Sequence, residues 1–245
     1  MKKNNSAYAG LAPFYERLAT EDYSGWGDFA AELIGKYAAS KKGADAACGS
    51  GYFTRFLKKR GYDVYGCDIS GEMLTQAAKI SAEEGVNVKF IQQDLSKFKS
   101  WEKLGFVTVI NDGFNYLDGE KLKKAFKAIR SSQSAGGALI FDISSEYKLR
   151  TVIGNNVFCY DGDDVSYIWF NTLSDESVTM ELSVFERKGN LYEKREEVHK
   201  QYIHDKDFVL NALKECGFNV ELVCGALGEE LTDKSERIVF VAVKE

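Results

Sequence analysis

Five short apolar runs, most of them followed by a helical stretch, constrain this chain more than any other feature of its sequence. The first ends near Ala47, the second (Val64 to Cys67) closes on Asp68, and the third (87–92) closes on Asp94. The fourth (106–110) closes on Asn111-Asp112, and the fifth spans 138–143. Helical patterns lie between and before them. Phe29, Ala30, Leu33, Ile34 and Tyr37 recur at helix spacing, 52–59 runs to Gly61, and 71–83 stops before Gly85. In 121–131, Leu122, Ala125, Phe126 and Ile129 share one side. Short continuous apolar strands alternating with helices describe a parallel sheet covered on both faces. Such sheets bind ligands beyond the carboxyl ends of their strands, where the polar residues just named all stand.

After residue 144 the rhythm changes. Residues 157–203 read as extended without intervening helices, and Val178, Met180, Leu182 and Val184 alternate with polar neighbours as in a half-buried antiparallel strand. Stretch 191–203 alternates more weakly and is polar enough to suggest an edge or a wet face. A helix over 205–216 and strands over 219–226 and 237–243 finish the chain. The expected organisation is therefore α/β. Residues 1–144 carry the N-terminal helices and the ligand-binding half of a doubly wound, mostly parallel seven-stranded sheet. Residues 145–204 form a small inserted antiparallel sheet, and 205–245 supply the last helix and final two strands.

At 245 residues the chain can bury a large core, and its net charge of −5 argues against a phosphate-backbone partner. Lys58-Lys59-Arg60 and Lys121 to Lys127 are spaced like solvated helix faces. Five cysteines without a Cys-x-x-Cys pair, and only two histidines, predict neither a disulfide framework nor a metal site. The opening MKKNNSAYAG lacks a signal-peptide core and no apolar run is long enough to span a membrane, so the expected location is cytoplasmic.

The stretch ADAACGSGYF (44–53) carries the sharpest local signal. Glycines after a strand let the backbone approach a ligand, and the helix that follows offers free N–H groups. A dinucleotide site wants a third glycine where Thr54 stands, while an acid about twenty residues on, Asp68, suits the ribose of either cofactor class. Asp45 before the turn and Asp94 after the next strand discriminate. This set resembles the class I S-adenosylmethionine-dependent methyltransferases, whose first motif has an acid followed by alternating glycines and whose second ends a strand with an acid. The resemblance extends through LAPFYERL, DYSGW, GCDISGEML, IQQDL, NDGFNYL, AGGALIFDIS and SERIVFVAVK, and is to the bacterial small-molecule branch near the glycine and amino-sugar N-methyltransferases. Ala47 departs from it, standing where a glycine is common.

The resemblance implies a Rossmann-like fold that binds S-adenosyl-L-methionine and releases S-adenosyl-L-homocysteine, with the inserted antiparallel sheet of 145–204 as a β lid over the substrate. It places Gly49 and Gly51 against the methionine portion, Asp68 on the ribose hydroxyls, and Ile69 and Met73 around the adenine. Asp94 and the Leu95 backbone would read the adenine amino edge. Ala47 belongs to the same turn, Asn111 and Asp112 would flank the methionine amine and sulfonium, and Tyr15 and Trp26 would close over the cofactor. Asn115, Tyr116, Tyr167 and Trp169 are candidates for the substrate cavity or, for the aromatics, for the lid core. His199 lies on the polar parity of its strand, as a solvent-facing side chain or a general base. Cys48 has no histidine partner and is rejected as a nucleophile. The expected partner is a small-molecule N or O acceptor, with no membrane or metal, the protein being monomer or homodimer. The alternatives are an RNA-modifying methyltransferase, disfavoured for base amino groups because Asn111-Asp112-Gly113-Phe114 lacks proline, and a non-catalytic cofactor-binding protein that pairs through a strand such as 176–188.

Overall fold

The computed structural model describes Tyr8 and residues 11–18 and 23–245; the rest of MKKNNSAYAG, and Asp22 of DYSGW, lie outside the described residues. Two short N-terminal helices, α1 (Tyr15–Leu18) and α2 (Tyr23–Tyr37), precede the sheet. The chain then alternates through β1 (Lys42–Ala46), α3 (Tyr52–Lys59), β2 (Asp63–Asp68), α4 (Gly71–Glu83), β3 (Phe90–Gln92) and β4 (Leu104–Val109) to α5 (Gly119–Ser132) and β5 (Gln133–Ser144). After the insertion come α6 (Lys206–Glu215), β10 (Phe218–Cys224) and β11 (Arg237–Lys244).

The seven strands order as β10-β11-β5-β4-β1-β2-β3, and β11 alone runs antiparallel to its neighbours. From β1 the chain winds outward through β2 to β3, then returns to β4 on the other side of β1. That reversal opens a crevice at the carboxyl ends of β1 and β4. β1 is a weak strand by composition, yet pairing on both sides overrides its propensity. It also needs to be thin: a Cβ on Gly43 would stand 2.3 Å from the Phe106 ring.

Apolar layers cover both faces. On one, Phe114, Phe126, Phe141 and Phe240 are fully buried, with Phe141 stacked on Phe240 at 4.9 Å; each such side chain contributes about 1.5–3 kcal/mol of burial. On the other, Trp26, Leu33 and Ile34 of α2 pack on Phe106 and Ile140. Helix starts follow their caps: Ser70 accepts from the Met73 N–H, Asp118 from Lys121 and Asp205 from Phe208.

The insertion opens with a π-helical segment, Lys148–Ile153, and continues as a second sheet ordered β6 (Val157–Tyr160), β7 (Val165–Leu173), β8 (Ser177–Lys188) and β9 (Leu191–Tyr202), antiparallel throughout. β8 is paired on both sides and its Val178, Met180, Leu182 and Val184 are buried, so the strand proposed for pairing between subunits has no free edge. β9 is an edge strand, but the expectation of a wet face fails for its second half. Glu197, His199 and Gln201 are all buried, because the inserted sheet turns that face toward the parent sheet and the N-terminal segment packs on it. Third-strand pairing is shorter than 87–92, since β3 is itself an edge and pairs only with β2.

Candidate active site

The glycine turn is built from left-handed backbone. Ala47, Gly49 and Gly51 have φ of 56°, 54° and 78°. Bonds from the Cys48 N–H to the Cys67 carbonyl and from the Gly51 N–H to the Cys48 carbonyl close it. A Cβ on Gly51 would strike the Phe90 ring at 2.7 Å, so this glycine serves packing behind the turn. Ala47 takes a conformation that costs an L-residue about 1–2 kcal/mol, and its methyl fits because residue 113 is glycine: a Cβ there would lie 2.9 Å from it. Cys48 is buried, which pushes its thiol well above the ordinary range, in keeping with its rejection as a nucleophile.

Asp45 and Thr54 explain each other. Thr54 Oγ1 donates to Asp45 Oδ2 at 2.6 Å, and Thr108 Oγ1 donates to Oδ1 at 3.0 Å. Burial still pushes the Asp45 carboxyl up to about 6, against those two bonds. Asp68 ties the turn to the next helix, accepting the Gly49 N–H on Oδ2 at 2.9 Å and the Ser70 N–H on Oδ1 at 2.8 Å. Its carboxyl is also raised by burial, with those backbone bonds opposing. Each oxygen keeps acceptor capacity toward a cavity of about 440 Å³, within the usual range for small-molecule sites.

Of the residues expected at the cofactor, Tyr15, Ala47, Gly49, Asp68, Met73, Asp94, Leu95 and Asn111 line this cavity. Ile69 stands at the mouth, 66% exposed, whereas Met73 is buried beneath. Asp94 spends Oδ1 on the N–H and hydroxyl of Ser96, at 2.8 and 2.7 Å, which leaves Oδ2. Three expected residues stand elsewhere. Gly51 lies behind the turn and Asp112 faces a second cavity. Trp26 is buried in the α2 core beside Phe29, because Trp26, Ala30, Leu33 and Ile34 share the face that α2 turns to the sheet. Tyr23, one turn earlier, is the aromatic of that segment at the cavity.

Asn111 and Asp112 are both left-handed, with φ of 67° and 53°. A clamp that the sequence reading missed holds them. Asp142 Oδ1 accepts the Asn111 N–H at 2.7 Å and Oδ2 accepts the Asp112 N–H at 3.2 Å. Arg237 Nη1 donates to Asp142 Oδ2 at 2.7 Å and stands 3.1 Å from Asp112 Oδ2, while Nη2 donates to Asn111 Oδ1 at 2.6 Å. Ser144 Oγ adds a bond to Asp112 Oδ2 at 2.7 Å. The available signal was one acid inside ALIFDIS and one arginine opening IVFVAV, charges that apolar strands carry only when paired.

A second cavity, about 420 Å³, lies between these strand ends and the inner face of the inserted sheet. Tyr116, Tyr167 and Trp169 line it, with Phe158, Met180 and Leu182. Asn115 does not. Its amide donates to the Ser144 and Tyr202 carbonyls at 3.2 and 3.0 Å and accepts the Ser144 N–H at 2.9 Å, fastening the end of β9 to β5. His199 is not solvent-facing: it is 5% exposed and borders this cavity, with Nε2 2.9 Å from Glu197 Oε2 and Nδ1 3.2 Å from Tyr116 Oη. Tyr8, Tyr15, Tyr23, Asn111 and Tyr116 border both cavities and form a common wall.

A family model described as a methyltransferase domain matches residues 44–137, which run from β1 into β5. A Geobacillus sp. (strain WCH70) protein, provisionally named a methyltransferase, is 30% identical over 245 residues, covering 97% of this chain and 99% of its own. A crystal structure of an S-adenosylmethionine-dependent methyltransferase from Clostridium acetobutylicum ATCC 824 is 32% identical, with a TM-score of 0.89 over 98% of this chain and 99% of that one. This chain belongs to the class I S-adenosylmethionine-dependent methyltransferases. The enzyme also shares its fold with an amino pentose methyltransferase from Micromonospora echinaspora solved with S-adenosylmethionine bound, at 18% identity, a TM-score of 0.74 and full coverage of both chains. The methyltransferase takes S-adenosyl-L-methionine as its cofactor and gives S-adenosyl-L-homocysteine. Among the described residues none of its helices is long and apolar enough to cross a membrane, and no group of three or more His, Cys, Asp or Glu is placed to hold a metal ion.

Proposed function

We propose that the enzyme methylates N or O of a small molecule held in the second cavity, with residues 145–204 acting as the acceptor lid. The observation that carries this reading is the common wall. Two cavities of similar size meet at Tyr8, Tyr15, Tyr23, Asn111 and Tyr116, so a donor in one and an acceptor in the other approach across the same few side chains. The sugar-directed activity of the Micromonospora echinaspora protein of the same fold supports a small acceptor.

The first cavity fits the cofactor: its open face is glycine backbone at Gly49, and a half-buried carboxylate with spare acceptor capacity waits at Asp68. Asp68 would hold the ribose hydroxyls through charge-assisted bonds, Ile69 and Met73 would flank the adenine, and Asp94 with the Leu95 backbone would meet its amino edge. Gly49 and Ala47 would lie along the methionine portion, with Tyr15 and Asn111 at the reacting end. When bound, S-adenosylmethionine supplies an electrophilic methyl on a positively charged sulfur. The protein's own task is then alignment of donor and acceptor, which can lower the barrier by about 7–11 kcal/mol. Rigid placement of Asn111 by Asp142 and Arg237 serves that alignment.

Methyl-labelled cofactor incubated with the enzyme and a fractionated cell extract tests the reading. Label is expected in the ultrafiltered small-molecule fraction. Label carried by RNA or protein instead would sink it.

A further inference from the structure

We propose that Tyr116, His199 and Glu197 form a proton relay that takes a proton from the attacking atom of the acceptor. The acceptor would then enter protonated at that atom, as an ammonium or hydroxyl group. This rests on the second cavity being the acceptor chamber, and it adds what that chamber does to the acceptor.

The direction of the relay follows from hydrogen-bond donors. Glu197, 2% exposed, accepts the Leu11 N–H on Oε1 at 2.7 Å and the Tyr8 N–H on Oε2 at 3.1 Å. His199 Nε2 stands 2.9 Å from the same Oε2. A carboxylate oxygen only accepts, so Nε2 must carry the hydrogen, and a neutral ring then has its lone pair on Nδ1. That lone pair faces Tyr116 Oη at 3.2 Å, so the phenol donates to it. Tyr116 Oη also lies 2.7 Å from Tyr8 Oη, and Tyr116 borders both cavities. The chain of contacts therefore runs from the place where donor and acceptor meet to a buried carboxylate.

Burial, with Asp112 nearby, raises both phenols above their ordinary range, so neither accumulates as phenolate. Tyr116 passes a proton by taking one and giving one. As the acceptor's proton moves to Tyr116 Oη, the phenol's own proton moves to His199 Nδ1. The electron pair left on the acceptor atom forms the bond to the methyl carbon, and the carbon–sulfur pair stays on sulfur. His199 ends doubly protonated beside Glu197, and solvent takes the proton after product leaves. Tyr116 is the residue that touches the acceptor; His199 and Glu197 act through it. The ionisable groups facing the imidazole are Glu197 on its own strand, Tyr116 from the loop after β4 and Tyr8 edge-on at 4.6 Å from the N-terminal segment. Asp112 and Arg237 lie beyond the phenols.

With only two histidines in the chain, nitrogen-15 NMR of the enzyme saturated with S-adenosylhomocysteine reads the relay without an acceptor. His199→Asn identifies the signals of His199. The neutral ring is expected to carry its hydrogen on Nε2. A hydrogen on Nδ1 would overturn the relay. In the labelled-methyl assay on the small-molecule fraction, Tyr116→Phe and His199→Asn should each lower turnover at least about 100-fold. Turnover of His199→Asn should recover as pH rises and the acceptor loses its proton unaided. S-adenosylhomocysteine affinity should hold in His199→Asn, since His199 borders only the second cavity. Unchanged turnover, or a pH profile parallel to wild type, would count against the relay. Failure of the wild-type enzyme to methylate any small molecule would remove the acceptor reading and leave the tautomer result standing.

Discussion

Arg237 Nη1 lies 2.7 Å from Asp142 Oδ2 inside the protein, between antiparallel strands whose other positions are almost all apolar. The pair is buried on both sides and its guanidinium continues to Asp112 and Asn111. Replacing one partner of a buried ion pair strands the other. Arg237→Met is expected to destabilise the fold by about 3–5 kcal/mol in urea denaturation, since Asp142 and Asp112 would face each other without a cation. Equal stability would mean that the two left-handed residues do not depend on this clamp.

Asp68 joins the turn to α4 and also faces the first cavity. Asp68→Ala should weaken S-adenosylhomocysteine binding by about 1.5–3 kcal/mol, the range for hydrogen bonds to a charged group. Asp68→Asn, which keeps one acceptor oxygen, should lose less. Calorimetry measures both, and an unchanged affinity in the alanine variant would remove the ribose assignment.

Stability should carry a pH signature from Asp45. Burial raises its carboxyl from 3.8 to about 6, so the folded chain binds that proton more tightly than the unfolded chain does. Asp45 therefore favours folding most at low pH, and its contribution is lost as pH climbs through that interval and is flat above it. The full span is about 3 kcal/mol at 1.36 kcal/mol per unit. Asp45→Asn cannot titrate, so the stability difference between wild type and variant, followed by denaturation from acid to neutral pH, should change in that window and nowhere above it.

Gly113 and Ala47 share one space. Gly113→Ala would place a methyl 2.9 Å from both Ala47 Cβ and Val109 Cγ1, and overpacking of this kind costs about 1–3 kcal/mol. Ala47→Gly removes one of the two obstacles and also relieves a left-handed alanine. The double variant should be more stable than the sum of the single effects predicts, by a margin that thermal denaturation can read. Strict additivity would show that the two positions relax independently.

The sheet was legible because its strands are apolar runs broken by glycine and acid, a pattern that burial on both faces imposes. The 71–83 helix emerged at its expected bounds because Ser70 caps it and Gly85 follows. The cavity residues Gly49, Asp68 and Asn111 were equally visible, each ending a strand. What escaped were relationships across the chain. Nothing local to Arg237 reveals that it meets Asp142, or that Thr54 exists for Asp45. The side-chain parity of β9 was legible, but which face would be wet was not: residues 8 and 11 supply the N–H groups that satisfy buried Glu197, and Glu197 and Tyr116 in turn hold the His199 ring. Trp26 misled for a related reason, its neighbours sharing one helix face with the core while Tyr23 turned to the site.

Gly49, Asp68 and Asp94 border only the first cavity, whereas Tyr167, Trp169, Met180, Leu182 and His199 of β7–β9 border only the second. On the proposed assignment of the two cavities, mutation within the insertion would remodel what is recognised while the methyl-donating half stayed as it was. Descent can exploit that separation. A duplicated copy of this gene could drift toward a new acceptor by rewriting three strands, and a chimera carrying another lid would inherit a working donor chamber from the first day.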